Sequence, residues 1–185
     1  MDVIGSITPL RRPLIKYSAG WDRSYIPPTQ DRREVIARHK QIPNPQIING
    51  MRIILIDDSI RRGTQLRDLL REKVWPYKPK EIHGRIASPP QMFPCVLDLS
   101  TKNQDLATRK AIMRIEGRDI EDVSKYMDPK DTNYYAMIEG IRTMLDITTL
   151  KYQTLADMMK AVIDAPNNIG LKKEDLCLYC WTGKV

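Results

Sequence analysis

Arg52-Ile-Ile-Leu-Ile-Asp-Asp-Ser-Ile-Arg-Arg-Gly-Thr64 is the stretch that decides the fold. Ile53 to Ile56 form a short apolar run, which predicts a buried strand. Asp57, Asp58 and Ser59 follow at its carboxyl end, where open α/β sheets place their ligand crevices. Gly63 and Thr64 then open a helix, signalled by Leu66, Leu69, Leu70 and Val74 at spacings of three and four. The N–H groups of its first turn therefore point at an anion. Carboxylates do not hold phosphate directly, but they accept hydrogen bonds from sugar hydroxyls and support a Mg²⁺ that neutralises a diphosphate. The stretch points to a phosphosugar ligand. A plainer reading, an acidic cap on the helix from Thr64 to Lys73, explains one acid or the serine. It does not explain two adjacent acids beside an Arg-Arg-Gly turn. No Gly-x-x-x-x-Gly-Lys-Ser/Thr occurs in the chain, which excludes a P-loop hydrolase.

Outward from this stretch, Glu81 to Ala87 predicts a second strand, with Ile82, Gly84 and Ile86 alternating. Strand, helix and strand make one βαβ unit of a parallel sheet. Residues 51–99 thus form the core, and Phe93 to Leu99 is a further candidate strand. Before it, residues 9–50 carry Pro9, Pro13, Pro27, Pro28, Pro43 and Pro45 with Gly20 and Gly50, and read as a flexible loop and linker. A short helix is expected there from Gln30 to Lys40. Beyond it, residues 100–185 read as helical: Leu106 to Ile115, Ile120 to Tyr126 with Asp119 as a candidate cap, Tyr134 to Leu145, and Leu155 to Ile163 with Thr154 as N-cap.

The 185 residues suit one domain, and 42% hydrophobic with 29% charged residues is ordinary for a globular protein. No apolar run approaches the roughly 18 residues of a membrane span, and the N-terminus lacks a signal-peptide pattern, so a cytoplasmic protein off the membrane is expected. The net charge of +7 is concentrated early: Arg11, Arg12, Lys16, Arg23, Arg32, Arg33, Arg38 and Lys40 crowd the first forty residues. This cluster is either a solvated basic face or a surface for a polyanionic small molecule. One Phe and no nucleic-acid motif argue against a nucleic-acid partner.

Three cysteines make no secreted disulfide framework. Cys177-Leu-Tyr-Cys180 is a C-x-x-C, and Cys95 lies in Phe-Pro-Cys-Val. A redox pair, a zinc site completed by His39 or His83, an iron–sulfur site and buried inert thiols all remain open on the residues alone.

The acid pair and Gly-Thr turn resemble the phosphoribosyl pyrophosphate (PRPP) signature of type I phosphoribosyltransferases. Further segments resemble the C-terminal part of the transferase domain of glutamine PRPP amidotransferases: Lys16-Tyr-Ser-Ala-Gly-Trp-Asp-Arg-Ser-Tyr-Ile-Pro-Pro-Thr-Gln30, Arg85-Ile-Ala-Ser-Pro-Pro-Gln-Met-Phe-Pro-Cys95, Thr148-Thr-Leu-Lys-Tyr-Gln153 and Leu176-Cys-Leu-Tyr-Cys-Trp-Thr-Gly-Lys184. The resemblance implies an α/β fold, a phosphoribosyltransferase-like parallel sheet flanked by helices and N-terminally incomplete, with a helical C-terminal part. It implies transfer of ammonia to PRPP, giving phosphoribosylamine and pyrophosphate at the start of purine biosynthesis. Asp57 and Asp58 would hold the ribose hydroxyls and Mg²⁺, and Ser59 to Thr64, including Arg62, Gly63 and Thr64, would cradle the 5′-phosphate. Arg61 stands where the family usually has an apolar residue. The loop carrying Lys16 and Arg23 would close over the diphosphate. Some members hold a [4Fe–4S] cluster, and Cys95, Cys177 and Cys180 match three of its ligands, with the fourth expected from outside this chain. The glutaminase domain, the first strand and the pyrophosphate loop of the family lie outside the resemblance. A glutaminase domain or subunit is thus the implied partner, in a homo-oligomer or hetero-complex, and this chain alone is expected to be ammonia-dependent or inactive. The alternative is a non-catalytic PRPP-binding regulator.

Overall fold

The computed structural model describes residues 9–16, 41–97, 101–168 and 170–184. The chain divides into two compact units, one of Met1–Met51 with Leu69–Lys80, the other of Arg52–Asp68 with Glu81–Val185.

In the smaller unit, β1 (Leu14–Lys16) pairs antiparallel with β2 (Gln41–Pro43), in the register Leu14 to Pro43 and Lys16 to Gln41. The Asn44 N–H donates to the Pro13 carbonyl at 2.7 Å. Asn44 also caps a four-residue helix, α1 (Pro45–Ile48), its Oδ1 accepting from the Gln46 N–H at 3.1 Å. An Asn at the cap followed by Pro at the first helical position is a start signal that the sequence carried and the reading above passed over. Ile48, Leu70 and Val74 are buried in this unit.

The larger unit is built on a three-stranded parallel sheet in the order β3 (Arg52–Asp57), β4 (Glu81–Ile86), β5 (Thr149–Tyr152). Its α2 helix spans Thr64–Lys73, the extent the leucine spacing predicts, and its first five residues belong to this unit. Strand alternation divides the sheet into two faces. Ile82, Ile86 and Leu150 are buried on one. The other carries Arg52, Ile54, Ile56, His83, Arg85 and Lys151, with Ile54 half exposed and Ile56 at 71% exposure. The core continues into α3 (Ala107–Glu116) and α4 (Thr132–Leu145), through Ala111, Ile112, Met137, Ile141 and Leu145. Asp131 caps α4, and α5 (Leu155–Ile163) starts on Thr154, whose Oγ1 accepts from the Asp157 N–H at 3.1 Å. A short α6 (Tyr179–Thr182) closes the described chain.

Three expectations fail. The apolar run Ile53 to Ile56 forms a strand but not a buried one, because Ile54 and Ile56 point to the open face. Residues 93–97 form no strand, and 98–100 lie outside the described residues. The N–H groups of Met92 and Phe93 both donate to the Cys180 carbonyl, at 2.9 and 3.0 Å, and Pro94 has none, so this stretch offers little to a ladder. Ile120 to Tyr126 holds only a 3₁₀ turn, Ser124–Tyr126, and Asp119 caps no helix. The buried Arg109 guanidinium takes the Ile120 carbonyl at 2.6 Å, and Asp122 Oδ1 takes the Ser124 N–H at 2.9 Å. Side-chain bonds of this kind replace helical ones. The sequence reading missed β5, a four-residue strand too short for its pattern to stand out. The helix expected from Gln30 to Lys40 lies outside the described residues.

Candidate functional site

Asp57 ends β3, and parallel pairing with β4 sets Asp57 beside Ile86. Beyond the sheet the two chains stay tied: the Ala87 N–H donates to the Asp57 carbonyl and the Ser88 N–H to the Asp58 carbonyl, each at 3.0 Å. Each acid also orients itself on the loop. Asp57 Oδ1 accepts from the Asp58 N–H at 3.0 Å, and Asp58 Oδ1 from the Ser59 N–H at 2.9 Å. Asp57 is half-buried while Asp58 and Ser59 are exposed. Burial raises the Asp57 carboxyl above its ordinary range, the Asp58 N–H opposes this, and the Asp58 carboxyl adds to it. Two adjacent acids that repel one another at a strand end suit a bound cation.

The turn that follows is anchored from below. Ile60 is buried, and the Arg61 carbonyl accepts from the Ala107 N–H at 2.8 Å, so the start of α3 braces the loop. The Arg62 guanidinium donates to the buried Thr101 hydroxyl at 3.1 Å, while Lys110 Nζ donates to the Arg62 carbonyl at 3.4 Å. Gly63 sits at φ +73°, and a Cβ there would meet Met144 Cε at 2.8 Å. The left-handed backbone favours glycine here, while the flexible end of Met144 could move aside for a Cβ. Its carbonyl accepts the Arg67 N–H at 3.0 Å, so the first turn of the ten-residue α2 begins here. Lys16 belongs to the smaller unit, where it ends β1, and Arg23 lies outside the described residues.

On the open sheet face, a depression of about 270 Å³ lies at the carboxyl ends of β3, β4 and β5, lined among others by Ile56, Arg85, Lys151 and Gln153. Arg85 and Lys151 are register partners, and the Arg85 guanidinium donates to the Gly84 carbonyl at 2.7 Å and the Thr149 hydroxyl at 3.1 Å. Sequence reading assigned these two cations no role. Strand alternation puts each on the open face, but their adjacency depends on β5, which it had not located. His83, a zinc-ligand candidate, is held between Thr149 Oγ1 at 2.9 Å and Glu81 Oε2 at 3.1 Å.

The cysteines meet at the other end of the segment that leaves β4. Trp181 Nε1 donates to the Pro89 carbonyl at 3.2 Å, and the Phe93 and Tyr179 rings lie 6.1 Å apart. Gly183, at φ +70°, would drive a Cβ to 2.9 Å from the Phe93 ring. With the two N–H bonds to the Cys180 carbonyl, these contacts seat residues 89–93 on α6. Burial, then the Cys95 and Cys177 thiols, push the Cys180 thiol up, and the Arg61 guanidinium pulls the other way. Cys177 is exposed.

No family model matches the chain. Over 164 residues, 88% of its length, the chain is 29% identical to the amidophosphoribosyltransferase of Methanocaldococcus jannaschii. Over 164 residues, 87% of its length, it is 30% identical to that of Methanothermobacter thermautotrophicus. A solved structure of glutamine PRPP amidotransferase from B. subtilis, complexed with ADP and GMP, aligns over 94% of the chain with a TM-score of 0.57 and 25% identity. The chain is homologous to a segment of the amidophosphoribosyltransferases. It spans 27% of the length of these two curated relatives and 32% of the solved chain. The amidophosphoribosyltransferase likeness thus extends over most of the chain, and its fold is the parallel sheet flanked by helices described above. Among the described residues no helix is long and apolar enough to cross a membrane.

The two inorganic groups that the amidophosphoribosyltransferase resemblance implies fare differently against the side chains present. Mg²⁺ is bound through one or two carboxylates plus substrate oxygens, and Asp57 with Asp58 fit that set. A [4Fe–4S] cluster takes four thiolates, of which Cys95, Cys177 and Cys180 would be three. Among the described residues no group of three or more His, Cys, Asp or Glu is arranged to hold a metal ion, and a guanidinium already lies within electrostatic reach of Cys180.

Proposed function

We propose that this chain is the PRPP-binding part of an amidophosphoribosyltransferase, with ammonia displacing pyrophosphate at C1 to give 5-phosphoribosylamine. The observation that carries the reading is the strand-end acid pair followed by a left-handed glycine that starts a helix, a geometry suited to a sugar on one side and a phosphate on the other. Asp57 and Asp58 accept hydrogen bonds from the ribose hydroxyls and hold Mg²⁺. The backbone N–H groups from Ser59 to Thr64 cradle the 5′-phosphate, with Arg62 adding positive charge. Mg²⁺, when bound, neutralises the diphosphate and so favours its departure. The family resemblance gives Lys16 and Arg23 the role of supplying positive charge to the leaving pyrophosphate. Ammonia is a competent nucleophile without a general base, so catalysis rests on positioning and electrostatic stabilisation. A glutaminase domain or subunit supplies the ammonia from glutamine.

Pyrophosphate release from PRPP, measured with Mg²⁺ and ammonium for the chain alone and mixed with a glutaminase-bearing polypeptide, tests this. Ammonium-dependent release that disappears in Asp57→Asn is the expected result. Binding without release in either setting would instead assign a non-catalytic PRPP-binding regulator. Neither binding nor release would overturn both readings.

A further inference from the structure

Parallel sheets occur with both faces covered, because the crossovers that join their strands lay other elements across them. In the β3–β4–β5 sheet Ile82, Ile86 and Leu150 are buried on one face, while the other is open. The open face is ordered in rows by the strand register. In the first row Arg52 pairs with Glu81 at 3.2 Å, and His83 from the next row reaches the same Glu81 oxygen at 3.1 Å. The last row, at the carboxyl ends, sets Ile56, Arg85 and Lys151 side by side. Among the described residues no carboxylate pairs with either cation of that row. Like charges on neighbouring strands repel, so the row is incomplete as it stands. Ile54 and Ile56 run beside it with half or more of their surface exposed, and the depression of about 270 Å³ opens among Ile56, Arg85 and Lys151.

An apolar stripe beside two uncompensated cations specifies what covers it. The face offers side chains and not backbone, so the occupant packs across it as a helix instead of joining it as a strand. Apolar residues along one side of that helix meet Ile54 and Ile56, and a carboxylate next to them enters the depression between Arg85 and Lys151. A second copy of the face brings no such acid, since Glu81, the one carboxylate among its strand residues, is already engaged. The stretch from Gln30 to Lys40 has the wrong sign, with Arg32, Arg33, Arg38 and Lys40 against Asp31 and Glu34. We propose that the open face of this sheet is a docking surface for an acidic amphipathic helix of a partner protein, whose carboxylate seats on Arg85 and Lys151. The face contains none of the residues from Asp57 to Thr64, so docking does not require PRPP.

Fluorescence anisotropy of a labelled synthetic helix titrated with the purified full chain tests this. The probe is about 18 residues long, enough to hold a helix, with leucines along one side and glutamates flanking them; its counterpart has lysine for every glutamate. Saturable binding of the glutamate peptide, weakening as salt rises, is the expected result. Lys151→Glu should weaken it about tenfold or more, Lys151→Gln less and in the same direction, and the lysine peptide should prefer Lys151→Glu to the wild type. Ile54→Thr with Ile56→Thr keeps the β-branched shape that suits a strand, removes part of the apolar stripe, and should also weaken binding about tenfold. Ile54, Ile56 and Lys151 are all exposed, so these variants should unfold at the wild-type temperature. No binding, equal binding of the two peptides, or binding indifferent to these substitutions would overturn the proposal. So would a wild-type dimer that the Ile54 and Ile56 changes dissociate, which would make a second copy the occupant.

Discussion

The turn from Asp57 to Thr64 and the corner of Cys95, Cys177 and Cys180 lie in the same unit, and both resemble motifs of one enzyme family, yet they are built in opposite ways. The turn is contiguous. Its acids bond to the next N–H along, its glycine is favoured by its own φ, and α3 braces it from below. The corner is assembled from chain segments more than eighty residues apart, held by two backbone bonds, one indole and a ring pair. A motif written in a single stretch carries its geometry with it, whereas a dispersed one depends on every element between its parts. That is why the turn can be recognised from its residues alone, while the corner is defined only by the contacts that bring its parts together.

Four variants sharpen or break this contrast. Asp57→Asn with Asp58→Asn should have the largest effect, weakening Mg²⁺-dependent PRPP binding by about 100-fold or more, since charged hydrogen bonds contribute roughly 1.5–3 kcal/mol each. Stability should not fall. The Asp57 carboxyl is held above its ordinary 3.8, mainly by burial, so the folded chain binds that proton more tightly than the unfolded one. Stability is therefore lost as pH rises from that value through the raised one, and Asn removes the loss; a double variant that melts well below wild type at neutral pH would contradict this.

Gly63→Ala should destabilise by about 1–2 kcal/mol from left-handed strain, the flexible end of Met144 being able to give way. Denaturant melts measure it, and a change under about 0.5 kcal/mol would mean the turn adapts readily. Phe93→Ala strips the ring from the corner and should cost about 2 kcal/mol, less than a fully buried Phe because this one is half-buried. PRPP affinity should stay within about twofold of wild type, near-additivity being the rule for separate sites, and a larger loss would show the corner and turn to be one device. Trp181→Phe removes the bond to the Pro89 carbonyl and should cost about 1 kcal/mol by the same melts.

How much of this was legible follows the same division. The β3 strand, α2 from Thr64 to Lys73, β4 and the Thr154-capped α5 are local patterns, and the structure places them where periodicity and capping predict. The acid pair and glycine turn were legible for the same reason. The Ile120–Tyr126 helix and the Phe93–Leu99 strand were misread because tertiary partners, Arg109 and the Cys180 carbonyl, take the backbone groups that local pattern assigned elsewhere. The adjacency of Arg85 and Lys151 was invisible because it arises only when β5 joins the sheet. The seating of Met92 and Phe93 on the Cys180 carbonyl depends on the same kind of long-range closure.

Calorimetric titration of the purified chain with PRPP, with and without Mg²⁺, tests the central claim most directly. The turn from Asp57 to Thr64 is ordered by its own contacts, so saturable binding that requires Mg²⁺ is the predicted result. No binding at millimolar PRPP in the presence of Mg²⁺, by a chain shown to be folded, would contradict it.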